Sequence, residues 1–153
     1  MSGTMTIRLA TQDDVTQIVR LVNAAYATYL DRMEKPPEPM LTDYTGLIAS
    51  GGVYVLTSSA EIAGVLVMEE QNRALFIENV AVDPAFQGQG LGRRLMAFVE
   101  QYTREQGLRE LRLYTNEVMT ENLAFYRRLG FREVERRVDD GYRRVFLRKS
   151  LAG

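Results

Sequence analysis

Three glycines alternate along one short stretch of the chain, at Gly88, Gly90 and Gly92. An apolar run rich in β-branched residues ends just before them at Asp83-Pro84, and apolar residues at helical spacing begin at Leu91. A strand, a glycine turn and a helix start in this order point several backbone N–H groups at one spot, with the positive end of the helix dipole behind them. The stretch therefore predicts an anion site, and a phosphate group fits it best.

The charges around this turn favour the same interpretation. The first helical turn carries Arg93 and Arg94, although the helix dipole favours acidic side chains there. No acidic residue lies between Asp83 and Glu100. The alternative is a tight turn followed by two solvated arginines, and the glycine pattern by itself leaves both interpretations open.

A second motif lies downstream and reads Asn122-Leu-Ala-Phe-Tyr126-Arg-Arg-Leu-Gly130-Phe131. Together with Gln87-x-x-Gly90-x-Gly92 it resembles the two signatures of the GNAT family of N-acetyltransferases, in the same order and at a similar separation. The resemblance extends from about Ile7 to Leu147. It implies one α/β domain over residues 1–153, with a mixed, mostly antiparallel sheet of about seven strands and four helices.

The resemblance also implies acetyl-CoA as the acyl donor and cosubstrate. Its pantetheine arm is expected along the strand that ends at Val80-Ala81-Val82, where backbone groups can bind it as an added strand. Asn122 matches a residue that contacts the same arm, and a local helix cap is its alternative role. Arg94 is a further candidate for a phosphate contact. The predicted pyrophosphate loop comprises Gln87, Gly88, Gln89, Gly90, Leu91, Gly92 and Arg93.

The resemblance implies roles in the chemistry for Tyr126 and Val80, whereas the general base is not carried over from it. Tyr126 matches the tyrosine that protonates the departing thiolate, and an ordinary tyrosine keeps its proton at neutral pH. Packing before Leu-Gly-Phe is the alternative for this side chain. The backbone N–H of Val80 is the candidate that polarises the thioester carbonyl. Glu78 is the first candidate for the general base, and Glu117, Glu69 and a chain of waters stay open.

The residue totals limit the chemistry further. Among its 153 residues the chain has no cysteine and no histidine, which excludes a thiol nucleophile, a Ser-His triad and a thiol metal site. Carboxylates, tyrosines, backbone N–H groups and water remain. Direct acyl transfer from a thioester to an amine suits this set, because it needs no covalent enzyme intermediate. No metal is expected.

Composition describes an ordinary globular protein, with 46% apolar and 25% charged residues. The formal net charge of −1 argues against a nucleic-acid partner. No apolar run reaches the roughly 20 residues that span a bilayer, and the first residues lack a secretory pattern, so no membrane partner is expected. Without cysteine there is no disulfide framework, and we expect a cytoplasmic location.

The predicted function is transfer of an acetyl group from acetyl-CoA to a primary amine of a small molecule or peptide. The first alternative is a non-catalytic acyl-CoA-binding or regulatory module, since fold alone does not assign chemistry. The second is a protein N-terminal acetyltransferase of the ribosomal-protein type, which the run Asn79-Val-Ala-Val-Asp-Pro84 resembles. The sequence does not name the amine acceptor, and both a monomer and a homodimer are consistent with it.

These motifs need a strand before the glycine turn and helices after it, and apolar periodicity predicts both. Thr11 is expected to cap the first helix, which runs to about Leu30, and Thr120 the last, which ends at Gly130. Hairpin turns are predicted at Ser58-Ser59, Gln71-Asn72 and Asp140-Gly141. The other predicted elements are strands 5–9, 53–57, 62–68, 74–82, 108–115, 131–138 and 142–149 and helices 43–50 and 91–106.

By resemblance, the region between the first two helices borders the pocket for the amine. Prolines at positions 36, 37 and 39 predict a loop there. Packing in the core or in the loop is the alternative for every candidate side chain. The candidates are Tyr26, Tyr29, Met33, Met40 and Tyr44.

Overall fold

The computed structural model describes residues 4–151 of the chain. Within that range it contains seven β-strands and four α-helices. The strands are β1 Met5–Leu9, β2 Val53–Ser58, β3 Glu61–Gln71, β4 Ala74–Val82, β5 Glu110–Asn116, β6 Arg132–Asp139 and β7 Tyr142–Ser150. The helices are α1 Val15–Tyr26, α2 Tyr44–Ala49, α3 Leu91–Glu105 and α4 Thr120–Arg128.

The seven strands form a mixed sheet in the order β1-β2-β3-β4-β5-β7-β6. Strand β1 pairs with β2, β2 with β3, and β7 with both β5 and β6, all of them antiparallel. Strands β4 and β5 pair in parallel, from Leu75 opposite Leu111 to Ile77 opposite Leu113. The predicted fold class, a mixed and mostly antiparallel sheet with four helices, is confirmed.

The chain forms two compact units. Unit 1 comprises Met1–Met68 and Asn79–Phe98, and unit 2 comprises Glu69–Glu78 and Val99–Gly153. A single domain over residues 1–153 stays a prediction, and its ends, residues 1–3 and 152–153, lie outside the described residues. No helix within residues 4–151 is long and apolar enough to span a membrane.

Two details of the helices differ from the prediction. Helix α1 ends at Tyr26, and a 3-10 helix, Ala27–Arg32, continues the chain. Tyrosine and β-branched threonine are weak helix formers, so this stretch does not hold the α-helical geometry that apolar spacing predicted. The residue before α4 is Met119, which makes no side-chain cap, so the cap predicted at Thr120 is wrong.

Three hairpins turn through two residues, both of them in the left-handed region with φ between 49° and 78°. That geometry is a type I′ turn, whose twist matches the twist of the flanking strands. The predicted Asp140-Gly141 turn is confirmed. The other two lie one residue later than predicted, at Ser59-Ala60 and Asn72-Arg73, because strand register and not turn composition sets their position.

The core of unit 1 lies between β2, β3 and the helices. Val55, Leu66 and Ile18 are fully buried there. A Cβ built on Gly64 would lie 3.1 Å from Leu95 Cδ1, so this glycine lets α3 approach β3 closely. Leu95 is itself fully buried. Helix α3 is therefore set firmly against the sheet at the end that follows the glycine turn.

Unit 2 has an aliphatic side and an aromatic side. On β5 and β7 the residues Leu111, Leu113 and Leu147 are buried. The other side of these strands carries a row of aromatic rings. The ring centroid of Tyr114 lies 5.4 Å from that of Phe76 and 5.5 Å from that of Phe146. The buried guanidinium of Arg144 lies 4.0 Å above the Tyr114 ring, within cation–π distance.

Strand β6 is the outermost strand beside β7, and all eight of its residues are exposed. Its charged side chains pair with one another. Glu133 accepts hydrogen bonds from Arg136 at 2.8 and 3.0 Å, and these bonds lower the pKa of the Glu133 carboxyl. Arg137 is ion-paired with Glu135. Ion pairs thus line this edge of the sheet, with Val134 and Val138 exposed between the charged residues.

Asp14 ties the end of β1 to the start of α1. Its buried carboxylate accepts hydrogen bonds from Arg8 at 2.8 and 3.1 Å and from the backbone N–H of Thr11 at 2.8 Å. The Arg8 guanidinium is the main cause of the lowered pKa of Asp14. The predicted pairing of Thr11 with an acid three residues on is present.

We expect Asp14→Asn to lower the free energy of unfolding by about 1–3 kcal/mol at neutral pH, since it removes a charge-assisted pair. Because the pKa of Asp14 is lowered in the folded protein, this contribution is fully present above the pKa of an unfolded aspartate, about 4, and is lost as the pH falls through the folded value. Urea unfolding from pH 7 to pH 2 measures it. A difference between the two proteins that is independent of pH would contradict this assignment.

Candidate functional site

The chain leaves β4 through a short, well-connected turn. Asp83 accepts a hydrogen bond from the backbone N–H of Ala85 at 2.9 Å and so caps a 3-10 helix, Pro84–Phe86. The N–H of Gln87 donates to the carbonyl of Pro84 at 3.3 Å. The predicted turn signal at Asp83-Pro84 is confirmed, and it holds the start of the glycine stretch in a defined conformation.

Gly88 and Gly90 both have left-handed backbones, with φ of +83° and +75°. A Cβ built on either residue would meet no heavy atom within 4 Å. Glycine is therefore required here by backbone conformation, because the protein leaves open space beside both residues. Open space above a glycine turn is what a bound phosphate group needs, so the residues present fit the predicted ligand.

Helix α3 starts directly at this turn. The N–H of Arg94 donates to the carbonyl of Gly90 at 3.1 Å, which is the first bond of the helical ladder. The N–H groups of Leu91, Gly92 and Arg93 precede that bond, so they have no helical carbonyl to bind. They lie at the positive end of the helix dipole. These are three of the backbone groups that the sequence predicted for an anion.

The two arginines of this first turn have different surroundings. Arg93 is exposed. The guanidinium of Arg94 donates to the carbonyl of Met5 in β1 at 3.3 Å. Arg94 is thus tied to the neighbouring strand, which leaves Arg93 as the better candidate for a phosphate contact.

Burial alternates along the last residues of β4. Glu78 is exposed, Asn79 is buried, Val80 is half-buried and Ala81 is buried, and Val82 is half-buried. This alternation is the ordinary pattern of a strand with two different faces. The predicted base, Glu78, and the predicted carbonyl donor, Val80, therefore lie on either side of a buried amide side chain.

Asn79 joins three segments of unit 1 through hydrogen bonds. Its Oδ1 accepts from the hydroxyl of Tyr26 at 2.6 Å, and its Nδ2 donates to the hydroxyl of Tyr44 at 3.2 Å. The Tyr44 hydroxyl then donates to the carbonyl of Pro39 at 2.7 Å. We call Tyr26, Asn79, Tyr44 and Pro39 the Asn79 clamp. Local sequence patterns do not predict this network, although a lone amide inside an apolar strand is a signal for buried hydrogen bonds.

The other candidates between the first two helices are partly buried. Tyr29 is buried, with the guanidinium of Arg32 5.1 Å from its ring centroid. Met33 and Met40 are half-buried. The tyrosines among these candidates are buried, as the alternative of packing in the core or the loop predicts. A pocket-lining role for any of them stays a prediction.

Tyr126 in unit 2 is 6% exposed, and its ring packs edge-on against Phe125 and Phe131, with centroids 5.2 and 5.6 Å away. The C-terminus of α4 explains the spacing of this motif. The N–H of Phe131 donates to the carbonyl of Tyr126 at 3.1 Å, and that of Gly130 to Arg127 at 3.0 Å. With Gly130 left-handed at φ +97°, this is a Schellman motif with its hydrophobic contact. The motif fixes the Tyr126 ring at the end of α4.

Asn122 lies one turn before Tyr126 on α4. Its side-chain amide donates to the sulfur of Met119 at 3.8 Å, a sulfur that also accepts from the Thr115 hydroxyl at 3.5 Å. Asn122 is half-buried and does not cap the helix, so the alternative role of a local cap is wrong. Its amide is held at the first turn of α4.

The candidate bases differ in their surroundings. Glu117 is ion-paired with Arg143 at 3.4 Å and with Arg136 at 3.7 Å. Glu69 accepts a hydrogen bond from the side chain of Gln71. A carboxylate held by two arginines is less available to accept a proton from another group. Glu78 stays the first candidate for its position alone, since it is adjacent to Asn79 near the end of β4.

The predicted site residues fall in both units. Unit 1 holds the glycine turn, the N-terminus of α3 and Val80-Ala81-Val82. Unit 2 holds Glu78, Asn122 and Tyr126. In unit 1 the structure brings the end of β4 together with the clamp, and in unit 2 it sets Asn122 and Tyr126 on one helix. The assignment of these residues to a bound acetyl-CoA stays a prediction.

A family model described as "Acetyltransferase (GNAT) family" matches residues 16–131 of the chain. Mouse N-alpha-acetyltransferase 80 is 36% identical over 81 residues, which cover 53% of this chain and 24% of that protein. An uncharacterised N-acetyltransferase of Methanocaldococcus jannaschii is 27% identical over 141 residues, covering 86% of this chain and 62% of that protein. The matches thus span less than two thirds of either relative.

Solved structures share the fold. The ribosomal-protein-S18-alanine N-acetyltransferase of Escherichia coli superimposes with a TM-score of 0.76 at 21% identity, covering 98% of this chain and 96% of that one. The PaiA N-acetyltransferase of Thermoplasma acidophilum, solved in complex with coenzyme A, gives a TM-score of 0.78 at 15% identity, with 96% and 99% covered. At these identities the likeness concerns the fold alone.

We expect Gly130→Ala to lower the free energy of unfolding by about 1–2 kcal/mol, because an L-residue pays that cost in the left-handed region. The nearest atoms to the added Cβ would be Cε, Nζ and Cδ of Lys149, at 3.4 to 3.8 Å, which are ordinary contacts with a flexible side chain. Gly46→Ala, inside α2, is the control and should be neutral or stabilising. Urea unfolding measures both. Equal stability of Gly130→Ala and the unmodified protein would contradict a backbone role for Gly130.

Proposed function

This chain belongs to the GNAT family of acetyltransferases, and from that premise we propose that it transfers an acetyl group from acetyl-CoA directly to a primary amine of a small molecule or a peptide. The family implies acyl-CoA-dependent acetyltransfer. The observation that carries the proposal is the left-handed turn at Gly88 and Gly90, which opens onto the N-terminus of α3 inside the matched residues.

The proposed donor site uses backbone groups of unit 1. The N–H groups from Gly88 to Arg93 bind the pyrophosphate, with Gln87 at the entry to the loop, and the half-buried edge of Val80-Ala81-Val82 binds the pantetheine arm. Asn122 contributes a side-chain contact from α4. Open space above the two left-handed glycines supports this assignment. Bound there, acetyl-CoA supplies the acetyl group as an activated thioester.

The chain's own groups then polarise the thioester carbonyl, accept a proton from the amine and donate a proton to the departing sulfur. The backbone N–H of Val80 donates to the carbonyl oxygen as negative charge develops on it. Glu78, directly or through a water, accepts the proton that the amine must lose. The Tyr126 hydroxyl donates a proton to the departing sulfur. The C–N bond forms as the C–S bond breaks, and no covalent enzyme intermediate is needed.

Incubation with acetyl-CoA and a panel of amines, while free thiol is followed, tests the function. The panel should include apolar amines and short peptides, because Leu30 and Leu41 between α1 and α2 are 40% and 64% exposed. Thiol release that depends on one amine supports acetyl transfer. Binding of acetyl-CoA without thiol release across the panel would instead favour a non-catalytic acyl-CoA-binding module.

The same panel also tests the alternative function, that of a protein N-terminal acetyltransferase. The fold likeness to the Escherichia coli enzyme does not extend to its acceptor, since the identity is 21%. Thiol release is compared between peptides with a free N-terminal amine and the same peptides blocked at that amine. Release with the free peptides alone would distinguish an N-terminal acetyltransferase from an enzyme that acts on small molecules. A homodimer and a cytoplasmic location stay predictions.

We expect Gly90→Asp to remove most of the thermal stabilisation that acetyl-CoA gives, because the new carboxylate lies where the pyrophosphate is proposed to bind and repels it. Gly107→Asp is a matched control, since Gly107 is also left-handed, at φ +76°, with nothing within 4 Å of its Cβ position. Both variants pay a similar backbone cost. Equal stabilisation of the two variants by acetyl-CoA would place the pyrophosphate elsewhere.

Tyr126→Phe should keep the edge-on packing on Phe125 and Phe131 and remove only the hydroxyl. General acid catalysis contributes on the order of 10²- to 10⁴-fold, so kcat should fall by about that factor while the affinity for acetyl-CoA stays unchanged. Tyr142→Phe, at another buried tyrosine of unit 2, controls for the loss of a hydroxyl. Pre-steady-state measurement of thiol release isolates the chemical step. A near-normal rate of thiol release by Tyr126→Phe would mean that the Tyr126 side chain contributes only packing.

A further inference from the structure

The Asn79 clamp is a continuous chain of hydrogen bonds with one direction. Tyr26 donates to Asn79, Asn79 donates to Tyr44, and Tyr44 donates to the carbonyl of Pro39. The three side chains are between 3% and 7% exposed. Buried chains of this kind strengthen each bond, and the loss of one member leaves the next group without its partner. The clamp is therefore a strong and specific connection.

The clamp attaches both ends of one segment to the same side chain. Tyr26 is the last residue of α1, and Pro39 and Tyr44 lie at the start of the chain that returns into α2. The intervening residues 27–43 form two short 3-10 helices and carry three of the four prolines. Short 3-10 helices have poorer hydrogen bonds than α-helices or strands do. The position of residues 27–43 thus depends heavily on Asn79.

Asn79 lies at the centre of the proposed chemistry. Its neighbour Glu78 is the proposed base, and its neighbour Val80 supplies the proposed N–H for the carbonyl. Successive residues of a strand are about 3.3 Å apart. Residues 27–43 are therefore anchored at the point of β4 where the amine and the acetyl group are proposed to meet.

We infer that Asn79, Tyr26 and Tyr44 are positioning residues that set the affinity for the amine acceptor by holding residues 27–43 beside β4. The inference rests on the proposed function. None of the three belongs to the proposed donor site, which uses backbone groups of other residues and the side chain of Asn122. The segment that they hold presents exposed Leu30 and Leu41. Its four acids outnumber its two bases, Arg32 and Lys35, which leaves a net negative charge on the segment. An apolar and net acidic segment is suited to a protonated amine with an apolar body.

Tyr44→Phe and Tyr26→Phe test the inference, with the best amine from the panel as acceptor. Each variant removes a hydroxyl and keeps the ring. We expect KM for the amine to rise about five- to tenfold, the order of effect of losing the hydrogen bonds of one buried hydroxyl, while KM for acetyl-CoA changes less than about twofold. Hydrogen–deuterium exchange should increase in residues 27–43 and stay unchanged in β2 and β3.

Thr103→Val is the matched control for a buried hydroxyl. Thr103 is fully buried and donates to the carbonyl of Val99 at 2.6 Å within α3, away from the clamp. It should lower stability without changing KM for the amine. Because Tyr26 and Tyr44 act through one amide, the double variant should raise KM by less than the product of the single effects.

The outcomes separate this inference from the function on which it rests. Absence of amine-dependent thiol release by the unmodified protein would overturn both. Normal turnover by the unmodified protein with an unchanged KM for the amine in both variants would overturn the clamp alone. An equal rise in KM for the amine in Thr103→Val would also overturn it, since the effect would then follow from lost stability. If Tyr44→Phe does not fold, Tyr26→Phe decides the question.

Discussion

One buried amide organises unit 1. The side chain of Asn79 sits in an otherwise apolar strand, and a buried amide without partners would cost several kcal/mol. Its oxygen and its nitrogen are satisfied by tyrosines that lie 53 and 35 residues away along the chain. Burial of Asn79 therefore requires α1, the proline-containing segment and α2 to meet β4 at one point. The polar requirement of a single side chain thus decides where the most irregular part of the chain lies.

Backbone conformation places the remaining parts of the candidate site. Gly88 and Gly90 lead the chain into α3 and leave open space at the start of that helix. Gly130 ends α4 in a Schellman motif whose hydrophobic contact is the Tyr126–Phe131 pair. In both places a left-handed glycine lies at one end of a helix and sets the direction of the chain there. This explains why the two motifs are recognisable at fixed spacing in the sequence.

Local patterns predicted much of this structure, and long-range partners account for what they missed. The limits of β4 and the start of α3 follow from β-branched residues, Asp83-Pro84 and helical periodicity, which are all local signals. Composition predicts the first hairpin turn one residue before Ser59-Ala60, because pairing of Ser58 with Glu61 decides its position. The hydrogen bonds of Asn79 are not predicted by local patterns, since its partners are remote in sequence. For Tyr126, spacing identified the helix end, but spacing cannot show where its hydroxyl acts.

The order of strands has a consequence for biosynthesis. Strand β7 lies between β5 and β6 in the sheet, yet it follows both in sequence. Its seven pairs with β5 far outnumber the three that β5 makes with β4. A nascent chain that has emerged only as far as β6 therefore exposes one edge of β5 and lacks the pairings that β7 makes with β5 and β6. Folding of this unit must wait for β7 to leave the ribosome, which lengthens the time in which a chaperone can bind the growing chain.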